Sequence, residues 1–183
     1  MNLPNKLTLL RMILTPFVLM LIYLEGFRIY ALVLFAVAVI TDYFDGWFAV
    51  HKNMKSRFGN FLDPVSDKIL VLSCLILLAS FELFPLWMVL VILAREFIMN
   101  GLRSSLSGTD MIVGANMGGK TKFSLQSLVI FLSILYLAFP QKLGQNFVLV
   151  LNAMLLLVVV ITIIALFNFM IKNKKALKEL IKN

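Results

Sequence analysis

Long apolar runs follow one another along the whole chain and are separated only by short polar segments. A helix of about 20 residues crosses the roughly 30 Å hydrocarbon core of a bilayer. Six runs are long enough, at about residues 7–24, 29–50, 62–81, 85–103, 119–139 and 147–171. The pattern predicts an all-α integral membrane protein, with one domain over residues 1–183. We expect six transmembrane helices, an N-terminal juxtamembrane segment and a basic C-terminal interfacial tail.

The composition excludes an ordinary soluble domain. Hydrophobic residues make up 61% of the chain and charged residues 14%, and the mean hydropathy is +0.97. Soluble domains have about 45–50% apolar and about 25% charged residues. One small core could not bury this much apolar surface, so lipid is the expected solvent for much of it.

The distribution of basic residues predicts the orientation in the membrane. The chain has 17 basic and 9 acidic residues. With six spans, Arg28 and Lys142 are the only basic residues in the three outer connections, and the other fifteen lie at the inner ends or in the tail. The positive-inside rule then places both termini in the cytoplasm of a multi-pass cell-membrane protein. The basic excess suits anionic lipid headgroups, so we expect no nucleic-acid partner.

Four carboxylates stand where an apolar environment makes charge costly. Asp42 and Asp45 close the second run, and Asp63 and Asp67 open the third. Ionisable groups in membrane segments are rare and usually functional. Because a short inner segment joins the two runs, we expect their helices to pack together. The four carboxylates would then meet at the cytoplasmic end of the bundle.

Helical spacing places these carboxylates on two faces with small residues beside them. Positions separated by three or four residues share a helix face. The first face has Asp42, Asp45, Gly46 and Ala49, and the second has Gly59, Asp63 and Asp67. The small residues leave room for a flat or charged ligand to approach the backbone.

Four neighbouring carboxylates need counter-charge, because two already raise one pKa strongly when they share a site. Lys68 could supply some of it, but divalent cations fit better. Oxygen ligands without histidine or cysteine favour Mg²⁺ or Mn²⁺ over Zn²⁺. Two such ions about 3.5–4 Å apart would form a phosphoryl-transfer site. The alternative is a helix-capping role, which suits Asp63 before Pro64 but not Asp42 or Asp45 at a helix C-terminus.

These positions resemble the signature of the CDP-alcohol phosphatidyltransferase family. That signature reads D-x-x-D-G-x-x-A-R, a short gap, then G-x-x-x-D-x-x-x-D. Positions 42–49 and 59–67 supply every fixed residue of it except the arginine. The start of the chain, Pro4-Asn5-x-x-Thr8-x-x-Arg11, is also typical of this family. Further motifs resemble the branch of the family that uses glycerol 3-phosphate as the acceptor: Asp63-Pro64-Val-Ser-Asp67-Lys68, Ala94-Arg95-Glu96-Phe97, Gly101-Leu-Arg103 and Gly119-Lys120-Thr-Lys122.

The resemblance implies an enzyme that takes CDP-diacylglycerol from the bilayer and releases CMP. It implies two Mg²⁺ or Mn²⁺ ions on Asp42, Asp45, Asp63 and Asp67, with Asp67 also acting as the general base. It further implies a CDP-lipid site at Asn5, Thr8, Gly46, Ala49, Ser56 and Gly59. A homodimer is expected by the same analogy.

One position departs from the signature, because Val50 stands where the family has an arginine. The usual contact of that arginine with the nucleotide phosphates is therefore in question. His51, Lys52 or Arg57 in the adjoining segment could supply the charge.

The acceptor is predicted from basic residues at the inner halves of the fourth and fifth runs. Arg95, Arg103 and Lys120 could bind a phosphate, which favours glycerol 3-phosphate over inositol phosphate or serine. Lys122 is expected to reach the lipid headgroups instead. Glu96 is expected to pair with a nearby base or to hold Arg95 in place.

Two other classes of function compete with this interpretation. A small divalent-cation transporter would also need intramembrane aspartates, but it would place them near the midplane and has no use for the glycine–alanine face. A structural scaffold leaves the four aspartates unexplained.

Overall fold

The computed structural model describes residues 3–51, 57–106, 117–174 and 176–178, with the side chains of residues 8–41, 66, 68–106, 122–174 and 176–178. These residues contain helices and no strand, so the all-α prediction is confirmed for them. The helices are α1 (Leu3–Tyr23), α2 (Arg28–His51), α3 (Arg57–Ser80), α4 (Leu86–Ser105), α5 (Met117–Ala138), the short α6 (Pro140–Leu143) and α7 (Asn146–Lys172). The six long helices follow the order of the six apolar runs.

The helices end where the local sequence cannot continue them. A 3₁₀ turn at Glu25–Phe27 separates α1 from α2, and the chain bends by 119° there. Pro85 precedes α4 with an extended backbone, as expected for a residue that lacks a backbone N–H and fixes φ. Gly144 ends α6 with a φ of 71°, a conformation that glycine adopts without steric cost.

The long helices pack as two four-membered rings that share α3 and α5. In the first ring, α1 and α5 each contact both α2 and α3. In the second ring, α4 contacts α3 and α7, and α7 also contacts α5. Over the described residues, α2 and α3 are not among the helix pairs with extensive contacts. Their packing at the aspartate positions stays a prediction.

The side chains inside the rings are apolar, and many outside them are apolar too. Phe35, Leu75 and Ile134 are almost fully buried. On the outer surface, large apolar side chains remain exposed on every long helix, among them Phe17, Tyr30, Ile76, Phe97, Leu128 and Leu149. Soluble monomers rarely expose apolar surface on this scale. This outer surface is that of a protein in contact with lipid.

Among the described residues, one helix is by itself long and apolar enough to cross a membrane. This is α7, with 27 residues. The helices α1 and α2 are long and apolar enough only as a pair across their bend. Within the described side chains, α3 and α5 contribute the apolar stretches Lys68–Ser80 and Lys122–Ala138.

At the opposite end, Arg28 joins the ends of several helices. Its Nη1 donates to the carbonyl oxygen of Leu137 at 3.0 Å, and its Nε donates to that of Ile22 at 3.4 Å. The guanidinium lies 5.6 Å from the ring centre of Phe81 and 3.6 Å from a carboxylate oxygen of Glu25. These contacts bring the ends of α1, α3 and α5 together at the start of α2. Successive long helices therefore run in alternating directions.

Candidate functional site

The four signature aspartates lie on helical backbone at the end of the bundle opposite Arg28. Asp42 and Asp45 belong to the last part of α2, and Asp63 and Asp67 belong to the first half of α3. Their backbone is helical throughout, so the spacings assumed from the sequence apply. Their side chains lie outside those that the structure describes, and the metal site remains a prediction.

The donor chemistry of these positions fits a hard divalent cation, since they offer only carboxylate oxygens. Among the described side chains, no group of three or more His, Cys, Asp or Glu residues could hold a metal ion.

The positions expected to bind the CDP-lipid are only partly described. Asn5, Gly46, Ala49 and Gly59 lie on helical backbone, and Ser56 falls outside the described residues. The side chain of Thr8 is described, and only 1% of it is exposed.

Thr8 begins a buried polar stripe on α1 that faces α3. Arg11 and Thr15 follow it at helical spacing and are also buried. Arg11 Nη1 donates to Ser66 Oγ at 3.4 Å. Since Ser66 precedes Asp67, this contact ties α1 to α3 at the position next to the predicted general base.

The described part of the second ring contains a buried ionic cluster centred on Glu96. We call Lys68, Arg95, Glu96 and Lys122 the Glu96 cluster. Arg95 Nη1 lies 2.9 Å from Glu96 Oε1, and Lys68 Nζ lies 3.6 Å from Oε2. Lys122 Nζ also pairs with Oε1. Three cations from α3, α4 and α5 therefore meet one carboxylate of α4.

Two further contacts extend the cluster to the fourth helix of the ring. Arg95 Nε donates to the carbonyl oxygen of Thr162 on α7 at 3.3 Å. Lys68 also donates to Asn100 Oδ1, one turn along α4 from Glu96. Each helix of the ring thus contributes a polar group. Removing one partner of a buried ion pair typically costs about 3–5 kcal/mol, so these contacts fix how the four helices are rotated.

The structure corrects the prediction for Lys122 and confirms the one for Glu96. Lys122 was expected to reach the headgroups, but it is only 6% exposed and pairs with Glu96. The reason is that its helix turns it toward the carboxylate of α4, which the sequence could not reveal. The expected pairing of Glu96 with a nearby base is present.

The three predicted acceptor residues occupy different environments. Arg95 belongs to the cluster, while Arg103 is exposed in the last turn of α4. The side chain of Lys120 lies outside the described ones. From the sequence, Lys68 is expected only as a counter-charge for the aspartates. Its contact with Glu96 of α4 has no local signal in the sequence.

Comparisons with known proteins cover nearly the whole chain. Residues 1–171 match the CDP-alcohol phosphatidyltransferase family. The chain is 37% identical over 192 aligned positions to the CDP-diacylglycerol–glycerol-3-phosphate 3-phosphatidyltransferase of Bacillus subtilis (strain 168), and the alignment covers 97% of each protein. Proteins of the same name from Rickettsia bellii (strain RML369-C) and Wigglesworthia glossinidia brevipalpis are 39% and 36% identical, respectively. Their alignments cover 74% and 72% of this chain and 75% of each relative.

Proposed function

Because the chain belongs to the CDP-alcohol phosphatidyltransferase family, we propose that it transfers the phosphatidyl group of CDP-diacylglycerol to sn-glycerol 3-phosphate and releases CMP. The relative from Bacillus subtilis, aligned over 97% of both chains, carries the name of this reaction. Enzyme chemistry of this kind also accounts for the aspartates, which a scaffold would not need.

One observation in the structure carries the proposal further. Lys68, the partly exposed member of the Glu96 cluster, is the residue after Asp67 on α3. In this proposal, phosphoryl transfer and binding of an acidic acceptor involve the same part of α3, although consecutive helical residues point about 100° apart. A transferase needs this proximity because the acceptor hydroxyl must reach the phosphorus while the acceptor phosphate is bound.

In the reaction, the acceptor hydroxyl forms a bond to the phosphorus that bears the lipid. The bond from that phosphorus to the bridging oxygen breaks, and CMP leaves with the electron pair. Asp67 takes the hydroxyl proton. The four aspartates suit two Mg²⁺ or Mn²⁺ ions, which would polarise the pyrophosphate and stabilise the developing charge. Asp67 keeps its basicity only if one of its oxygens remains available, since metal ligation lowers the pKa of a carboxylate.

The remaining binding assignments follow the family motifs. Asn5, Thr8, Gly46, Ala49, Ser56 and Gly59 form the CDP-lipid site in this proposal. A base near Val50, such as Lys52 or Arg57, replaces the missing arginine. Arg95, Arg103 and Lys120 bind the acceptor phosphate. The protein acts as a homodimer by analogy with its family.

We further propose that all six long helices cross the cell membrane, with both termini and the active site in the cytoplasm. The helices contain 20 to 27 residues, which at about 1.5 Å per residue gives roughly 30 Å or more. Their alternating directions, their exposed apolar surface and the asymmetry of basic residues support this topology. One membrane domain would then comprise residues 1–183.

The proposal is tested with purified protein, CDP-diacylglycerol and one acceptor at a time. We expect CMP release with glycerol 3-phosphate and much less with plain glycerol, because only the former offers a phosphate to the basic residues. Equal turnover of both would refute the assignment of the acceptor. Preference for inositol phosphate or serine would indicate a sister activity. Absence of CMP release with every acceptor would favour the transporter alternative.

A further inference from the structure

Glu96 has more cationic partners than its burial requires. Its side chain is 10% exposed, and its carboxylate contacts Lys68, Arg95 and Lys122 from three helices. One cation would neutralise one carboxylate. The need to keep Glu96 charged inside the bundle therefore does not explain the other two ion pairs.

The charge of the Glu96 cluster matches a phosphate monoester. Three cations and one carboxylate leave two positive charges in excess. A phosphate monoester carries about −1.5 to −2 charges near neutral pH. Without Glu96, three like charges would repel one another, and with a phosphate bound the cluster would be nearly neutral.

Hydrogen-bond donors remain in the cluster after its internal contacts are made. Arg95 uses Nε for Thr162 and Nη1 for Glu96, and among the described residues its Nη2 has no partner. Lys122 has three N–H donors and contacts Glu96. These donors are of the type that binds phosphate oxygens.

Two buried atoms on helices of the same ring also lack partners within the described residues. They are Thr162 Oγ1 and Gln126 Nε2, in side chains that are 0% and 4% exposed. Thr162 supplies the carbonyl that holds Arg95, and Gln126 lies one turn along α5 from Lys122. Buried polar atoms without protein partners indicate a place for water or a polar ligand.

We propose that Glu96 is a positioning residue for the acceptor, which holds Lys68, Arg95 and Lys122 together as one phosphate-binding site before the acceptor arrives. The inference rests on the proposed function and adds Lys68 and Lys122 to the groups that meet the phosphate. Preorganised cations bind more tightly than ones that must first be gathered from three helices. Because Lys68 and Asp67 belong to the same turn of α3, a phosphate bound here would hold the acceptor near the predicted base.

The first test is a kinetic comparison of Glu96→Gln with the wild type. Glutamine keeps the shape but cannot hold three cations. We expect the KM for glycerol 3-phosphate to rise roughly tenfold or more, as for the loss of one charge-assisted contact, with little change in kcat or in the KM for CDP-diacylglycerol. The matched control is Glu25→Gln, which neutralises an exposed carboxylate that pairs with Arg28 at the other end of the bundle. A purely structural role would lower the folded fraction and leave the acceptor KM unchanged.

The second test measures binding without turnover, using inorganic phosphate as the probe. Phosphate should raise the Tm of the wild type and of Glu25→Gln, because a ligand that binds only the folded state stabilises it. The shift should be lost in Glu96→Gln. If that variant does not fold, Glu96→Asp keeps the charge but shortens the reach, and should weaken both the phosphate shift and acceptor use.

The two tests separate this inference from the proposed function. A wild type that is stabilised by phosphate but does not use glycerol 3-phosphate would refute the proposed acceptor and leave the Glu96 site standing. An unchanged or lower acceptor KM in the Glu96 variants, or a phosphate shift equal to that of the wild type, would overturn the inference. Absence of any phosphate shift in the wild type would also overturn it.

Discussion

At the scale of single residues, the acidic side chains of the inner half illustrate two ways of balancing negative charge. Glu96 is neutralised by the protein itself, through contacts with Lys68, Arg95 and Lys122. For the four signature aspartates, we propose that divalent cations supply the counter-charge. Asp67 of that set and Lys68 of the Glu96 cluster are consecutive residues of α3.

The first residue-scale prediction concerns the aspartates. Asp42→Asn, Asp45→Asn, Asp63→Asn and Asp67→Asn each keep the side-chain shape and remove a charged ligand. We expect CMP release to fall by about 100-fold or more, since even outer-shell partners of a metal contribute 10- to 100-fold. A chelator should abolish wild-type activity, and Mg²⁺ or Mn²⁺ should restore it.

Glu82→Gln is the control for this series, because Glu82 is exposed in the connection between α3 and α4. It should retain wild-type activity. Full activity in any two of the aspartate variants, or in the presence of chelator, would contradict the metal site.

At the scale of helices, polar contacts at the two ends of the bundle hold its packing. The Glu96 cluster joins the helices of the second ring at one end. At the other end Arg28 contacts the carbonyls of Ile22 and Leu137, and Asn152 of α7 donates to the carbonyl of Leu83 at 2.9 Å. The last carbonyls of a helix have no partner within it, so the contacts of Arg28 satisfy groups that would otherwise need water. The contact of Asn152 does the same for a carbonyl of the connection between α3 and α4.

The element-scale prediction is that Arg28 stabilises the bundle without acting in catalysis. Arg28→Ala should lower the free energy of unfolding by roughly 1.5–3 kcal/mol, the usual value for hydrogen bonds from a charged group. Thermal unfolding in detergent measures this as a lower Tm. The folded fraction should keep the wild-type KM for both substrates.

Lys142→Ala is the matched control, because Lys142 is a basic residue at the same end of the bundle. It is exposed, and its ammonium lies 5.4 Å from the ring centre of Phe139. Its loss should leave the Tm nearly unchanged. Equal Tm values for the two variants would show that the contacts of Arg28 add no stability.

At the scale of the whole molecule, the arrangement suits an enzyme whose two substrates arrive from different phases. The apolar outer surface faces lipid, the source of the CDP-lipid. The signature aspartates and the Glu96 cluster lie toward one end, where a water-soluble acceptor can enter. In our proposal this end faces the cytoplasm. The distribution of basic residues predicts the same orientation.

The whole-molecule prediction tests this orientation with single cysteines. Cys74, the chain's one cysteine, is fully buried and is first replaced by alanine. In that background, Lys142→Cys should react with an impermeant maleimide on intact cells, and Lys178→Cys should react only after the membrane is opened. Labelling of position 178 alone in intact cells would show that the topology is the reverse of the one proposed. Labelling of both positions, or of neither, would contradict six spans.

The sequence alone determined the helices and their order. Apolar runs of about 20 residues form helices in lipid because every backbone polar group must be satisfied within the segment. This requirement is local, so the predicted runs at 29–50 and 147–171 agree closely with α2 (Arg28–His51) and α7 (Asn146–Lys172). The spacing of the aspartates is equally local, and it identified the candidate metal positions.

Only the tertiary structure decided which helices meet and which side chains face one another. Arg28 contacts Leu137 across 109 positions, and Arg95 contacts Thr162 across 67. The sequence predicted that Lys122 reaches the headgroups, whereas the structure buries its side chain against Glu96. The physical reason is that helix formation depends on neighbours within one turn, while the rotation and partner of each helix depend on the packing of all six.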